Sequence, residues 1–452
     1  MAKKIEADVV IVGGATAGSY LAWRLAEKGK DVIVIEKKER GTLGKHIGIF
    51  HMDEIRFSQF DIPIPQGKEL IGYFPDGLAH PPDPSAKNSP KRIWYGFYAM
   101  ELPVFIERMQ KYAEEAGASY RFATEASAPI IENGAVSGMR IKSKGGEDID
   151  IGARVVVDAS GVDAAARTRL PKDLGIETDP IDPKDFLYVI LRYWDDIEGD
   201  FPRGLNFYPF HKAFINPSYG NGAIVGIGQP EKLETAERVQ GEFLAEYFPR
   251  VKHRLVRKTW GKTPYRRSPF SLVADGFVAI GDAAFMTKPF SGEGVTSGFT
   301  AAQIASEVIV DALDRGDASK KALWALNTRY FRDQGAKFMA LFAQLPAAAE
   351  LKRDDVNFLF SKDIVFSSAD FEQMNEKFEV KMGMGKLIAT AVSLIAGRLS
   401  GKLSKEGFSA LLSAMGKANK IRKHYEAYPE SPEGFAQWEK KARALWGESD
   451  RR

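Results

Sequence analysis

The run from Val9 to Glu36 restricts the possible folds more than any other part of the chain. Val9, Val10, Ile11 and Val12 are four consecutive apolar, β-branched residues, the pattern of a strand buried on both faces. Gly13-Gly14-Ala15-Thr16-Ala17-Gly18 follows at once, then a helical pattern through Leu21, Leu25 and Ala26 to Gly29. A second apolar run, Val32 to Ile35, ends on Glu36. Gly13 permits a tight turn, and Gly18 lets the helix lie close on the strand. The helix N-terminus then presents free backbone N–H groups suited to a pyrophosphate. Glu36 lies 18 residues beyond Gly18, where a carboxylate can accept hydrogen bonds from ribose hydroxyls. Ala15 stands where a middle glycine is usual and keeps a small side chain toward the phosphates. The run predicts a dinucleotide site on a Rossmann-like sheet.

At 452 residues the chain exceeds what one small core organises, so two or three domains are expected. Charges nearly balance at net +3, which argues against a dedicated nucleic-acid binder. There is no cysteine, which removes disulfides, thiolate metal sites, cysteine nucleophiles and iron–sulfur clusters. No metal is expected. Redox chemistry here needs an organic cofactor and an external electron donor, either NAD(P)H or a ferredoxin-like protein. The first eight residues are charged and short, unlike a signal peptide. No apolar run reaches the ~18 residues of a membrane span. The nearest, Leu387 to Ala396, lies between Lys386 and Arg398, and the reading is a cytoplasmic protein.

Further along, Ile62 to Pro90 is dense in proline and polar residues and reads as irregular. Pro103 to Gly117 predicts an amphipathic helix with Phe105, Met109 and Ala113 on one face. Turn signals stand at Glu132-Asn133-Gly134 and Lys144-Gly145-Gly146. A second buried strand, Val155 to Asp158, ends in Ala159-Ser160-Gly161. Residues 171–267 alternate short β-type runs, such as Phe186 to Leu191 and Ala223 to Ile227, with turns, and predict a mostly antiparallel sheet. The basic run Arg250 to Arg267 reads as a solvated face, with docking of an acidic electron donor as the functional option. A third strand closes in Gly281-Asp282, ahead of Pro289-Phe290-Ser291-Gly292-Glu293-Gly294. Beyond Thr300 the chain is largely helical, with Leu313, Leu323 and Trp324 among its buried candidates. From Lys381 to Lys423 basic residues alternate with apolar ones; this fits helices packed on the body and leaves a peripheral membrane contact open.

The expected class is α/β: a Rossmann-like FAD-binding domain, an antiparallel-sheet substrate domain and a helical C-terminal region. Residues 1–60, 101–170 and 268–315 would form the first, 61–100 an excursion toward the second, 171–267 the second and 316–452 the third. Three strand ends far apart in sequence would serve one ligand, with an acid at Asp282 for a ribityl hydroxyl and glycines for backbone approach to a flavin edge. That points to FAD rather than NAD.

On these segments the sequence resembles the FAD-dependent aromatic hydroxylase group, and within it the geranylgeranyl reductases. The resemblance covers essentially the whole chain. It rests on Val155 to Gly161 with Arg167 six residues on, Gly281-Asp282 with Pro289 and its glycines, and the tail Tyr428-Pro429-Glu430-Ser431-Pro432 with Trp438. It implies FAD contacts at Gly13, Ala15, Ala17, Gly18, Glu36 and Lys37, at Ile47 and Gly48 in a loop crossing the flavin, and at Arg108 and Gly161. Gly281, Asp282, Gly292, Gly294 and Val295 complete the set. It also implies reduction of carbon–carbon double bonds. Two departures bear on substrate. Archaeal members carry Pro-Cys-Gly over the flavin where this chain has His46-Ile47-Gly48, and a Tyr-x-Trp-x-Phe-Pro pattern where it has Lys212-Ala213-Phe214-Ile215-Asn216-Pro217. His46 and His51 are therefore the candidates for proton transfer at the flavin, and His211, Lys212 and Phe214 those for substrate contact, with a substrate other than the usual isoprenoid lipid. A hydroxylase of the same fold would carry Asp-Gly at Ser160-Gly161, and a halogenase a Trp-x-Trp-x-Ile-Pro signature near Phe214. Neither is present. A flavoprotein relay between protein partners is the remaining alternative.

Overall fold

The computed structural model describes residues 5–83, 89–143, 145–289, 291–364, 368–377 and 384–448. Lys144, Phe290 and Lys381, named above, lie outside these residues. The β-branched run is the centre of the first sheet. Ile5–Val12 pairs in parallel with Val32–Ile35 on one edge and Asp148–Asp158 on the other. Ser119–Arg121 and Phe277–Ala279 extend the sheet on either side, also in parallel. Val9 to Val12 are all buried, as a strand with neighbours on both edges and cover on both faces requires. The hairpin of Glu125–Glu132 and Ala135–Lys142 turns at Asn133-Gly134, both at positive φ, and joins through its second strand to Asp148–Asp158.

Two helices cover the central strands. Thr16–Ala26 follows the glycine turn, and its Tyr20 stacks on Phe299 of Val295–Asp314 with ring centroids 4.6 Å apart. Leu102–Glu115 buries Phe105, Met109 and Ala113 on one face.

The second sheet has eight strands, all paired antiparallel except Leu205–Tyr208 with Leu70–Ala79. It draws Ile49–Asp53, Leu70–Ala79 and Lys91–Glu101 from the N-terminal part of the chain and the remaining strands from residues 186–264. Leu70–Ala79 corrects the expectation of irregular chain from Ile62 to Pro90. Pro75 is tolerated because it falls between Phe74 and Asp76, where the register with Lys91–Glu101 shifts. The helix Leu233–Tyr247 covers one face through Ala236 and Phe243, against Ile190 and Val225.

The C-terminal helices close on the first sheet. Tyr428 donates to the Phe270 carbonyl at 2.7 Å, and the Trp324 indole donates to the Pro429 carbonyl at 2.9 Å. The helix Met384–Leu399 packs through Leu394 and Gly397 on Phe358 and Leu359; a side chain at 397 would overlap the Phe358 ring. Packing accounts for Leu394, Phe408 and Leu411 of this stretch, whereas Leu387, Ile388, Ile395, Leu399 and Leu412 stay exposed. No helix among the described residues is long and apolar enough to cross a membrane.

Candidate functional site

A cavity of about 940 Å³ opens where the three strand ends meet. Its geometry begins at the first turn. Gly13 sits at φ +106°, and a side chain there would overlap the Ala159 carbonyl. Glu36 holds the turn from the next strand, its carboxylate accepting the N–H groups of Gly14 and Lys38, both at 2.8 Å. Buried Gln110, from Leu102–Glu115, props the same turn by donating to the Gly14 carbonyl at 2.8 Å. Ala15 precedes the helix without a side-chain cap, so the first N–H groups of Thr16–Ala26 face the cavity beside Ala15, Thr16 and Ala17.

A second uncapped helix N-terminus meets the cavity. Gly294 precedes Val295–Asp314 with no capping side chain, and Gly292, Gly294 and Val295 line the wall. Gly281, at φ +63°, and Asp282 stand beside them. Burial pushes the Asp282 carboxyl up, opposed by a hydrogen bond from the Thr287 hydroxyl at 2.9 Å. Thr287 in turn meets Thr263 at 2.9 Å, and Thr263 and Lys262 bring the end of Lys252–Pro264 to the wall. Lys37, bound to Asp163, lines the opposite side with Glu36 and Gly161.

One wall is the loop through Leu43, Gly44, His46 and Ile47. Arg257 fastens it, donating to the carbonyls of Lys45 at 3.0 Å and Ile47 at 2.9 Å while lying 3.9 Å over the Tyr193 ring; Tyr193 also donates to Ile47. Burial, then the charges of Lys38 and Arg257, lowers the His46 pKa below the usual imidazole range. Gly48 lies on the far side of this wall, in a cleft of about 580 Å³ with Glu101, Tyr219 and Arg257.

Several expected contacts are elsewhere. Gly18 does not line the cavity; a side chain there would overlap the Gly13 carbonyl, so its place is in helix-on-turn contact. Arg108 is also off the wall, donating to Glu69 at 2.9 Å and to the Pro63 carbonyl at 2.8 Å. His211, Lys212 and Phe214 lie outside it too. His211 is 3.6 Å from Glu246, with its pKa lowered by burial. Lys212, at φ +52°, sits 5.3 Å over the Tyr265 ring, its pKa also lowered by burial. Phe214 lies over Gly226, where any side chain would strike its ring. Much of the basic run from Arg250 to Arg267 is paired within the chain. Arg254 pairs with Asp195 and Asp196, Lys258 with Glu237, and buried Arg267 with Glu177 and Glu448.

His51 does not reach the cavity wall but sits in a network directly behind it. Its Nε2 lies 2.9 Å from Oε1 of Glu293, the residue between the two cavity-lining glycines 292 and 294. Its Nδ1 is 3.3 Å from the Asn216 amide nitrogen, while the buried Asn216 Oδ1 has no partner. Lys288 Nζ is 3.3 Å from Glu293 Oε2. Sequence reasoning reached His51 but gave no role to Glu293, Asn216 or Gln110. Their partners lie 242, 165 and 96 residues away, so no local spacing signals them.

Two uncapped helix N-termini on one cavity, with an acid at a strand end beside each, suit a ligand with a central pyrophosphate and hydroxylated groups on both sides. FAD has that form. The sequence model of the FAD dependent oxidoreductase family matches residues 8–180. The digeranylgeranylglycerophospholipid reductase of Sulfolobus acidocaldarius is 27% identical over 456 residues, covering 96% of each chain. The protein of the same name from Methanoculleus marisnigri is 30% identical over 334 residues, 70% of this chain and 79% of the relative. A geranylgeranyl bacteriochlorophyll reductase-like structure from Thermoplasma acidophilum has a TM-score of 0.73 at 18% identity, covering 91% of this chain and 100% of that one. FAD-dependent halogenases share the fold, as does a probable FAD-dependent monooxygenase. The match to the FAD dependent oxidoreductase family makes FAD the cofactor.

Proposed function

Because this chain belongs to the geranylgeranyl reductase family of FAD-dependent oxidoreductases, we propose that it reduces a carbon–carbon double bond of an apolar substrate other than the family's usual isoprenoid lipid. Bound FAD supplies the hydride. The observation that carries the reading is the network behind the cavity wall, where Glu293 turns away from the space its flanking glycines line and holds His51.

The residues' parts follow from their chemistry. The N-termini of Thr16–Ala26 and Val295–Asp314 would hold the pyrophosphate and a flavin edge, and Glu36 and Asp282 would take hydroxyls. Ile47 and His46 line the cavity and would keep water from a flavin held there. His51, behind that wall rather than in contact with the substrate, is placed to hold a proton in reserve. With Glu293 ionised, Nε2–H donates to its carboxylate, and Nδ1 accepts from Asn216. A proton arriving at Nδ1 gives an imidazolium that Glu293 stabilises, and the Asn216 amide, turned about, offers its unpartnered Oδ1 to the new N–H. His51 can thus take up and release a proton with both ring nitrogens partnered in either state.

The test is anaerobic. The purified protein is reduced with NADH, NADPH or dithionite and mixed with alkenes, and flavin reoxidation is followed while mass spectrometry reads the gain of two hydrogens. Reoxidation by an alkene without oxygen supports the reading. Reoxidation only on admitting oxygen, with a hydroxylated or halogenated product, would replace it with the monooxygenase or halogenase alternative. Reoxidation only by an oxidised protein partner would make the chain a relay.

A further inference from the structure

The helix Met384–Leu399 is turned the wrong way for a helix in water. Thr390, Leu394 and Gly397 are buried and fix which side faces the body. The opposite side should carry charge. It carries Ile388, Val392, Ile395 and Leu399 at successive helical turns, 59%, 60%, 52% and 83% exposed. Single exposed apolar residues are ordinary, but a continuous stripe marks a contact surface. The next helix, Lys405–Glu426, adds exposed Leu412 and Met415.

Charge distribution identifies the occupant. Residues 384–423 contain eight Lys and Arg, of which Lys386 pairs with Asp370 and Arg422 with Glu426, against one Glu, while the whole chain is only +3, so the rest of the molecule is net negative. Lys402, Lys405 and Lys420 are exposed. The stripe itself is aliphatic, without the aromatic or arginine anchors that dominate protein interfaces. Aliphatic residues that sink a few ångströms, followed in the chain by exposed lysines for phosphate groups, are what an anionic bilayer surface selects. We propose that the outer face of Met384–Leu399, with the lysines of the following turn and helix, docks this protein on anionic lipid surfaces. This goes beyond the redox reading, and its test needs no turnover.

The experiment is flotation of the FAD-bound protein with lipid vesicles. Partition onto vesicles holding roughly 30% phosphatidylglycerol, weakened by salt and nearly absent on pure phosphatidylcholine, is expected. Combined Ile388→Ser, Val392→Ser, Ile395→Ser and Leu399→Ser should lower that partition on the order of a hundredfold, with flavin absorbance and melting temperature retained. Lys402→Glu with Lys420→Glu tests the electrostatic half on a chain whose apolar face is intact, and should remove the preference for anionic vesicles. Wild-type protein that floats with neither vesicle would overturn the proposal. So would a wild-type dimer that the four serines convert to a monomer, because the stripe would then cover a second copy of the chain.

Discussion

Glu293 stands between two glycines that border the cofactor cavity, yet its carboxylate points away from it, onto His51 and Lys288. Burial would raise its pKa; the Lys288 charge and the His51 hydrogen bond outweigh that and hold it well below the usual carboxylate range. The group is therefore ionised at neutral pH and can balance a proton on His51. Glu293→Gln keeps the shape and removes the charge. If His51 holds the proton, kcat for alkene reduction should fall about a hundredfold while KM and the flavin spectrum change little. Steady-state kinetics under nitrogen read this directly, and an unchanged kcat would leave the pair with a structural role only.

At the scale of elements, glycine positions separate two kinds of constraint. Gly18, in the first turn of the first helix, lies against the Gly13 carbonyl, a backbone neighbour that cannot swing aside. Gly18→Ala should push the helix off the turn, so that the protein purifies largely without FAD and loses about 2 kcal/mol or more of stability. Gly241 lies inside Leu233–Tyr247, and a methyl group added there would meet nothing within 4 Å. Gly241→Ala should stabilise by about 0.5–1 kcal/mol through helix propensity alone. Thermal unfolding followed by circular dichroism, with flavin content read from visible absorbance, distinguishes the two. The first of these constraints was legible in the sequence, because strand, turn and helix are contiguous there and each obeys a local rule. The Leu70–Ala79 strand was not: Pro75 breaks the β pattern, and the bulge that admits it is set by pairing with Lys91–Glu101. The outward apolar face of Met384–Leu399 was hidden for a related reason. A helical repeat of apolar residues reports a stripe without saying which side the body lies on, and that side was fixed by Phe358 meeting Gly397.

The parts of the whole molecule meet at a charge cluster built from distant stretches. Arg267, at the end of the second sheet, donates to both carboxylate oxygens of Glu177 at 2.8 Å and to Glu448 of the C-terminal tail at 2.7 and 2.5 Å, lying 3.6 Å over the Phe270 ring. Arg443 joins from the last helix, 3.7 Å from Glu177. Burial would raise the Glu177 carboxyl, but the hydrogen bonds and charge of Arg267, with Arg266 and Arg443, bring it from the ordinary 4.5 down to about 2. A carboxylate depressed in the folded state adds stability that is complete above its unfolded value and disappears as pH falls through the folded one. The window therefore runs from pH 4.5 down to about 2, and the full contribution is about 3 kcal/mol. Glu177→Gln should cost about that much at neutral pH in urea unfolding. The gap to wild type should shrink to less than half at about pH 3, because protonation then removes the same charge from the native chain. A gap that stayed constant with pH would mean that the substitution acts through geometry at Arg267 rather than through charge. A shrinking gap would make this cluster the electrostatic joint between the sheet that carries FAD, the sheet beside it and the C-terminal helices.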